Sequence, residues 1–112
     1  MSVYVSVTGF RSHRGLTRRA RFWWHTLRAV RQARAAPGNL RVELRPVNGI
    51  YHTLTVWTDE ASMRAYVRSG AHRRAMIGFR DLGGGRTLGF AAERDPDWET
   101  AYARWQHEAR EV

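Results

Sequence analysis

The sequence predicts an α+β domain of ferredoxin-like βαββαβ topology, a four-stranded antiparallel sheet with two helices on one face, followed by a C-terminal helix. Three observations lead there. Val3 to Thr8 alternates with period two and is rich in β-branched residues, the pattern of a strand. Asn48-Gly49 separates two further alternating runs, and both residues tolerate the positive φ that a tight primed hairpin turn requires. Segments with helical apolar spacing follow the first strand, the hairpin and the last strand, which sets the order of elements.

The first strand is expected over residues 2–9, ending at Gly9. Residues 17–35 form a helix with Phe22, Trp23, Thr26, Leu27, Val30 and Ala33 on one side and Arg18, Arg21, His25, Arg28 and Gln32 on the other. Pro37-Gly38 stops it. In Asn39 to Val47, Leu40, Val42 and Leu44 face opposite to Arg41, Glu43 and Arg45. The third strand, Ile50 to Trp57, has no properly polar face, so both its sides are expected to be covered. Thr58 or Asp59 caps a helix carrying Met63, Tyr66 and Val67, and Ser69-Gly70 separates it from a further short helical stretch. Asp81 to Gly85 reads as a glycine loop, Arg86 to Ala92 as the fourth strand. Asp95-Pro96-Asp97 then starts a helix with Trp98, Ala101, Tyr102, Trp105 and Ala109 on one stripe. Apolar side chains pointing to both faces of the sheet predict a homodimer joined through the faces the helices leave open, the last helix assisting.

Composition narrows the function. With 112 residues and no internal repeat, one domain is expected over 1–112. No apolar run is long enough to span a membrane, and MSVYVSVTGF lacks the basic-then-apolar order of a signal peptide, so the expectation is cytoplasmic. The lack of cysteine removes thiolate metal sites and cysteine nucleophiles. The net charge of +9 is uneven: residues 1–48 hold ten arginines against the single acid Glu43, while 49–112 hold nine of each sign. All the basic residues are arginine, as a GC-rich coding bias would give, so the Arg11–Arg34 stretch reads first as a solvated helix face. Gly83-Gly84-Gly85-Arg86-Thr87 lacks the Gly-Lys-Ser/Thr ending of a phosphate loop and precedes a strand, so it is a turn.

LTVWTDEASMRAYVRSGAHRRAM, Leu54 to Met76, has a strand ending in Val-Trp, an acidic cap, an amphipathic helix, then a small-residue step and a histidine. It resembles the antibiotic-biosynthesis-monooxygenase-like group of the dimeric α/β-barrel superfamily, and FWWHTLRAVRQARAAPGN is similar to the first helix and turn of spheroidene monooxygenase relatives. The similar stretches cover residues 22–76, about half the chain. The resemblance implies a dimeric barrel with a pocket between each sheet and its helices, and it does not name a substrate.

Candidate site residues follow. His72 shares a face with Ala75, Met76 and Phe79, and the resemblance puts its position at the pocket border. A neutral imidazole there would act as a general base toward a phenol or ligate haem iron; the alternative is a core histidine satisfied by a backbone carbonyl. His52 lies on the Ile50, Leu54 and Val56 face of its strand: it joins His72 if that face looks at the helices, and packs at the dimer interface if it does not. No spacing supplies a third ligand, so a non-haem metal is rejected. His13, His25 and His107 read as solvated, and Trp98 and Trp105 as packing. Trp23, Trp57, Tyr66 and Phe79 would line an apolar pocket. The leading reading is thus a monooxygenase or binding protein for an aromatic or polyene ligand, cofactor-free, with haem as the variant. A non-catalytic dimer is the alternative. RNA binding is disfavoured, because NGIYHTLTVW lacks the Arg/Lys-Gly-Phe-Gly-Phe character of an RNA-recognition strand and the net charge lies in a helix and loop.

Overall fold

The computed structural model describes residues 2–11, 16–68 and 85–111. In chain order the elements are β1 (Val3–Phe10), α1 (Leu16–Ala35), β2 (Asn39–Val47), β3 (Ile50–Trp57), α2 (Glu60–Val67), β4 (Gly85–Ala92), α3 (Trp98–Glu108) and β5 (Arg110–Glu111). The strands form one sheet in the order β2-β3-β1-β4-β5, and all neighbours pair antiparallel. This is the βαββαβ order expected, with a fifth strand of two residues added at the β4 edge. The short helical stretch after Ser69-Gly70 and most of the glycine loop lie outside the described residues.

Local chemistry explains the boundaries. Asn48 (φ 51°) and Gly49 (φ 77°) make the β2–β3 turn. Gly38, at φ 84°, ends α1, and a Cβ there would collide with the Ser62 and Thr58 side chains. Of the two candidate caps it is Asp59 that acts on α2, its Oδ1 accepting the Ser62 amide at 2.7 Å. Asp97 does the same for α3 from the Thr100 amide at 2.8 Å. Arg41 anchors the entry to α3, donating to the Pro96 carbonyl at 2.9 Å and pairing with Asp95 at 3.0 Å.

The pairing register gives the sheet two unlike faces. Val5 opposes Val56 and Phe90, and Val7 opposes Leu54 and Leu88, so one face is aliphatic. Ser6 opposes Thr55 and Gly89, and Thr8 opposes Thr53 and Thr87, so the other carries hydroxyls. The aliphatic face was expected to stand open for a second copy. Instead α3 folds back over it: Val5, Val7, Leu54, Val56 and Ala101 are fully buried within a single chain. Burial of each such aliphatic side chain is worth roughly 1.5–3 kcal/mol, so leaving this face wet would be costly. The helices α1 and α2 take the hydroxyl face, through Val30, Ala33, Val42, Trp57 and Tyr66. With both faces covered, the sheet offers no open platform for single-stranded RNA.

The expected stripe on α1 is partly corrected. Thr26, Val30 and Ala33 are buried, but Leu27 is 58% exposed and Trp24 62%, the latter beneath the Arg28 guanidinium at 5.7 Å. Leu40, expected to share a face with Val42, is exposed at a register shift between Asn39 and Arg41. Among the described residues no helix is long and apolar enough to cross a membrane.

Gly9 does not end β1. It sits inside the strand, under the rings of Trp105 and His52, and a Cβ there would lie 2.5 Å from Trp105 Cζ2 and 2.9 Å from the His52 ring. The added methyl of Gly9→Ala would favour the strand by about 0.5–1 kcal/mol. Overpacking against two buried rings costs about 1–3 kcal/mol and wins. Urea unfolding of Gly9→Ala should therefore show a net loss of stability; a variant as stable as the parent would mean that α3 is not seated on the sheet in this way.

Candidate functional site

Short side chains on both walls leave a void between the sheet and α1/α2. The floor is Ser6, Thr8, Thr53, Thr55, Thr87 and Gly89, and α1 faces it with Thr26, Ala29, Val30 and Ala33. The result is a cavity of about 400 Å³, within the size range of small-molecule sites. Trp57 and Tyr66 close one end, their rings 5.3 Å apart, and the Tyr66 hydroxyl donates to the Ala29 carbonyl at 2.7 Å, tying α2 to α1. Burial pushes the Tyr66 hydroxyl up to about 12, so it stays protonated near neutrality. Tyr4, Arg64, Arg68 and Arg110 also line the cavity.

Three of the floor hydroxyls, those of Thr8, Thr55 and Thr87, are partnered within the sheet. Thr8 and Thr87 share a hydrogen bond of 2.9 Å, and Thr55 donates to the Ser6 carbonyl at 3.5 Å. Two lining groups are not so served. The Trp57 indole Nε1 and the Thr26 Oγ1 are buried and meet no hydrogen-bond partner among the described residues. An indole N–H only donates, and leaving such a group dry and unpaired costs about 1–3 kcal/mol. An oxygen of a bound molecule would satisfy it.

The sequence-derived candidates divide. Trp57 and Tyr66 line the cavity together. Trp23 does not; it packs edge-on against Tyr51 with ring centroids 4.9 Å apart. His72 and Phe79 lie outside the described residues. The hydroxyl floor, Thr26 and Arg110 were missed. Their signal was the even-numbered set of β1, Tyr4, Ser6 and Thr8, matched by Thr53 and Thr55 on β3, a hydroxyl ladder that reads as ordinary alternation until the register aligns it.

His52, whose direction the sequence left open, points away from the cavity; His72 lies outside the described residues. The His52 ring is fully buried on the aliphatic face, perpendicular to three α3 rings, with centroids 5.6 Å to Trp98, 5.2 Å to Tyr102 and 4.6 Å to Trp105. Neither ring nitrogen meets a well-formed hydrogen-bond partner among the described residues. Burial lowers its pKa below 6.5, opposed by the backbone of Arg45 and Ile50. Above pH 6.5 the ring is neutral in both the folded and unfolded chain, and its contribution to stability is complete. Below that value the unfolded chain binds a proton that the folded chain refuses, so stability falls, by at most about 1.4 kcal/mol per pH unit for one proton. Thermal melts should show Tm dropping from pH 7.5 to 5, and His52→Gln should flatten that slope; an unchanged slope in the variant would rule out His52 as its source.

Solved structures with the same fold match this one at low sequence identity. They include SnoaB, a cofactor-independent oxygenase from Streptomyces nogalater (TM-score 0.70, 21% identity, 87% of this chain and 100% of that one). A protein from Shewanella oneidensis aligns with TM-score 0.71 at 16% identity over 81% of this chain and 91% of its own. A conserved protein from Methanosarcina mazei Go1 gives 0.69 at 13% over 85% and 95%. No curated protein matches the chain in sequence. The family model for antibiotic biosynthesis monooxygenases matches residues 18–77, more than half of the 112 residues, spanning most of α1, the β2–β3 hairpin and α2. The chain belongs to the antibiotic biosynthesis monooxygenase family.

Proposed function

We propose that this protein is a small-molecule monooxygenase that takes an aromatic or polyene ligand into the cavity between the sheet and α1/α2. The observation that carries the reading is the pair of buried, unpartnered groups on the cavity wall, Trp57 Nε1 and Thr26 Oγ1. They suit an oxygenated ring seated among apolar and hydroxyl surfaces. No cofactor is required: an electron-rich phenol gives up a proton and electrons to dioxygen, gains one oxygen atom as a quinone, and the other leaves as water. The likeness to SnoaB, a cofactor-independent oxygenase, supports this choice. Among the described lining residues there is no histidine or carboxylate to take the proton, so His72 is retained as the proposed base. Haem is the variant reading; His72 would then hold its iron, and a Soret band on purified protein would establish haem binding.

Trp57→Phe keeps an aromatic ring, though a smaller one, and removes the donor. It should weaken binding of a hydroxynaphthoquinone probe by roughly tenfold, the worth of a hydrogen bond of about 1.4 kcal/mol, measured well below the melting temperature, which the lost packing of this buried ring lowers. His72→Ala should spare binding and lose turnover. Equal affinity of Trp57→Phe and parent would remove the ligand from that end of the cavity.

The reading includes a homodimer. With the aliphatic face already covered, a second copy would meet the α3 layer, where Trp98 and Tyr102 are only half buried. Light scattering should return twice the 13.0 kDa chain mass; a monomer at micromolar concentration contradicts the dimer and leaves the cavity reading intact.

A further inference from the structure

The fifth strand is too short to add much to the sheet, yet its register has a chemical consequence. Thr87 pairs with Arg110 and Arg86 pairs with Glu111. Paired residues share a face, and Thr87 lies on the cavity floor. Arg110 is therefore delivered to the cavity side and Glu111 to the opposite side. The register is held from both flanks: the Arg86 guanidinium donates to the Ala109 carbonyl at 3.1 Å, and Trp105 Nε1 donates to the Arg86 carbonyl at 3.0 Å.

Every charged side chain among the described lining residues is an arginine: Arg64, Arg68 and Arg110. Arg64 is neutralised by Glu60, which it meets at 2.8 Å. Arg68 and Arg110 have no carboxylate partner among the described residues. Arg110 also acts on Tyr4 at the cavity wall: burial and the Glu60 carboxylate raise the Tyr4 hydroxyl above its ordinary pKa, and Arg64 and Arg110 pull it back. Gly89 leaves room for that hydroxyl, because a Cβ there would strike it.

We propose that the ligand of this cavity is an anionic aromatic, its carboxylate or equivalent oxyanion bound by the Arg110 guanidinium beside Tyr4, at a place distinct from the Trp57 and Thr26 donors. This rests on the reading of the cavity as a small-molecule site and adds the charge of its occupant. An arginine fork matches an oxyanion with two hydrogen bonds, and an uncompensated cation at the wall repays the desolvation of a ligand anion better than that of a neutral ring.

Two fluorescent probes of nearly one shape test it: 8-anilinonaphthalene-1-sulfonate, and N-phenyl-1-naphthylamine, which lacks the sulfonate. Ala29→Phe and Thr53→Phe, checked for folding by circular dichroism, fill the cavity from opposite walls. Both fillings should abolish binding of both probes. The parent should prefer the anionic probe by on the order of tenfold, Arg110→Gln should erase the preference, and Arg31→Gln on the outer face of α1 should keep it. Equal affinity for the two probes, or a preference that survives Arg110→Gln, overturns the anion proposal while the cavity stands. Binding that neither filling removes overturns the cavity itself.

Discussion

Everything in this fold depends on the antiparallel register that locks β1 between β3 and β4. Because side chains alternate with period two, fixing Val5 opposite Val56 and Phe90 also fixes Ser6 opposite Thr55 and Gly89. A slip of one residue would turn the aliphatic set toward α1 and the hydroxyls toward α3. The sheet would then have no apolar floor for Trp98 and Trp105, and the short side chains that leave the cavity open would be replaced by valines and leucines. Register thus decides two things together: where the dry core lies and where a ligand has space.

The fold was legible because its signals are local. The β1 alternation, the Asn48-Gly49 turn, the caps at Asp59 and Asp97 and the Trp98/Trp105 stripe each need only a few neighbouring residues. What escaped was relational. Nothing in Ile50–Trp57 tells which face meets which helix, so His52 stood equally well beside the cavity or away from it until pairing with Gly9 put it under α3. The same gap hid the role of the last helix. Its stripe announced burial, and a single chain supplies the surface that was reserved for a second copy. Trp57 and Tyr66 were recognisable as pocket residues because their strand end and helix converge in sequence as well as in space. Thr26 and Arg110 were not, since a lone threonine on a helix and an arginine near the chain end have no pattern of their own.

One buried histidine environment follows from this division. His52 has aromatic rings on all three contacts and charged groups only at the rim: Arg45 lies 5.4 Å over Trp98 and Arg86 lies 5.0 Å over Trp105. Burial is the largest influence on the imidazole and holds its pKa below the ordinary value. Such a ring is a packing element whose titration affects folding. It faces away from the cavity, which lies on the other side of the sheet.

The two faces are nevertheless coupled at one corner. Arg86 belongs to the aliphatic side, where its guanidinium covers Trp105 and reaches the Ala109 carbonyl; its own carbonyl accepts from the Trp105 indole. These contacts hold the chain as it leaves α3, and the two residues that follow are the ones that pair with β4. Packing of α3 against the valines therefore sets the register of β5, and alternation in β5 sets which charge enters the cavity. A change that loosens Trp105 on one face would be felt at the Arg110 guanidinium on the other, without any residue of the cavity being altered.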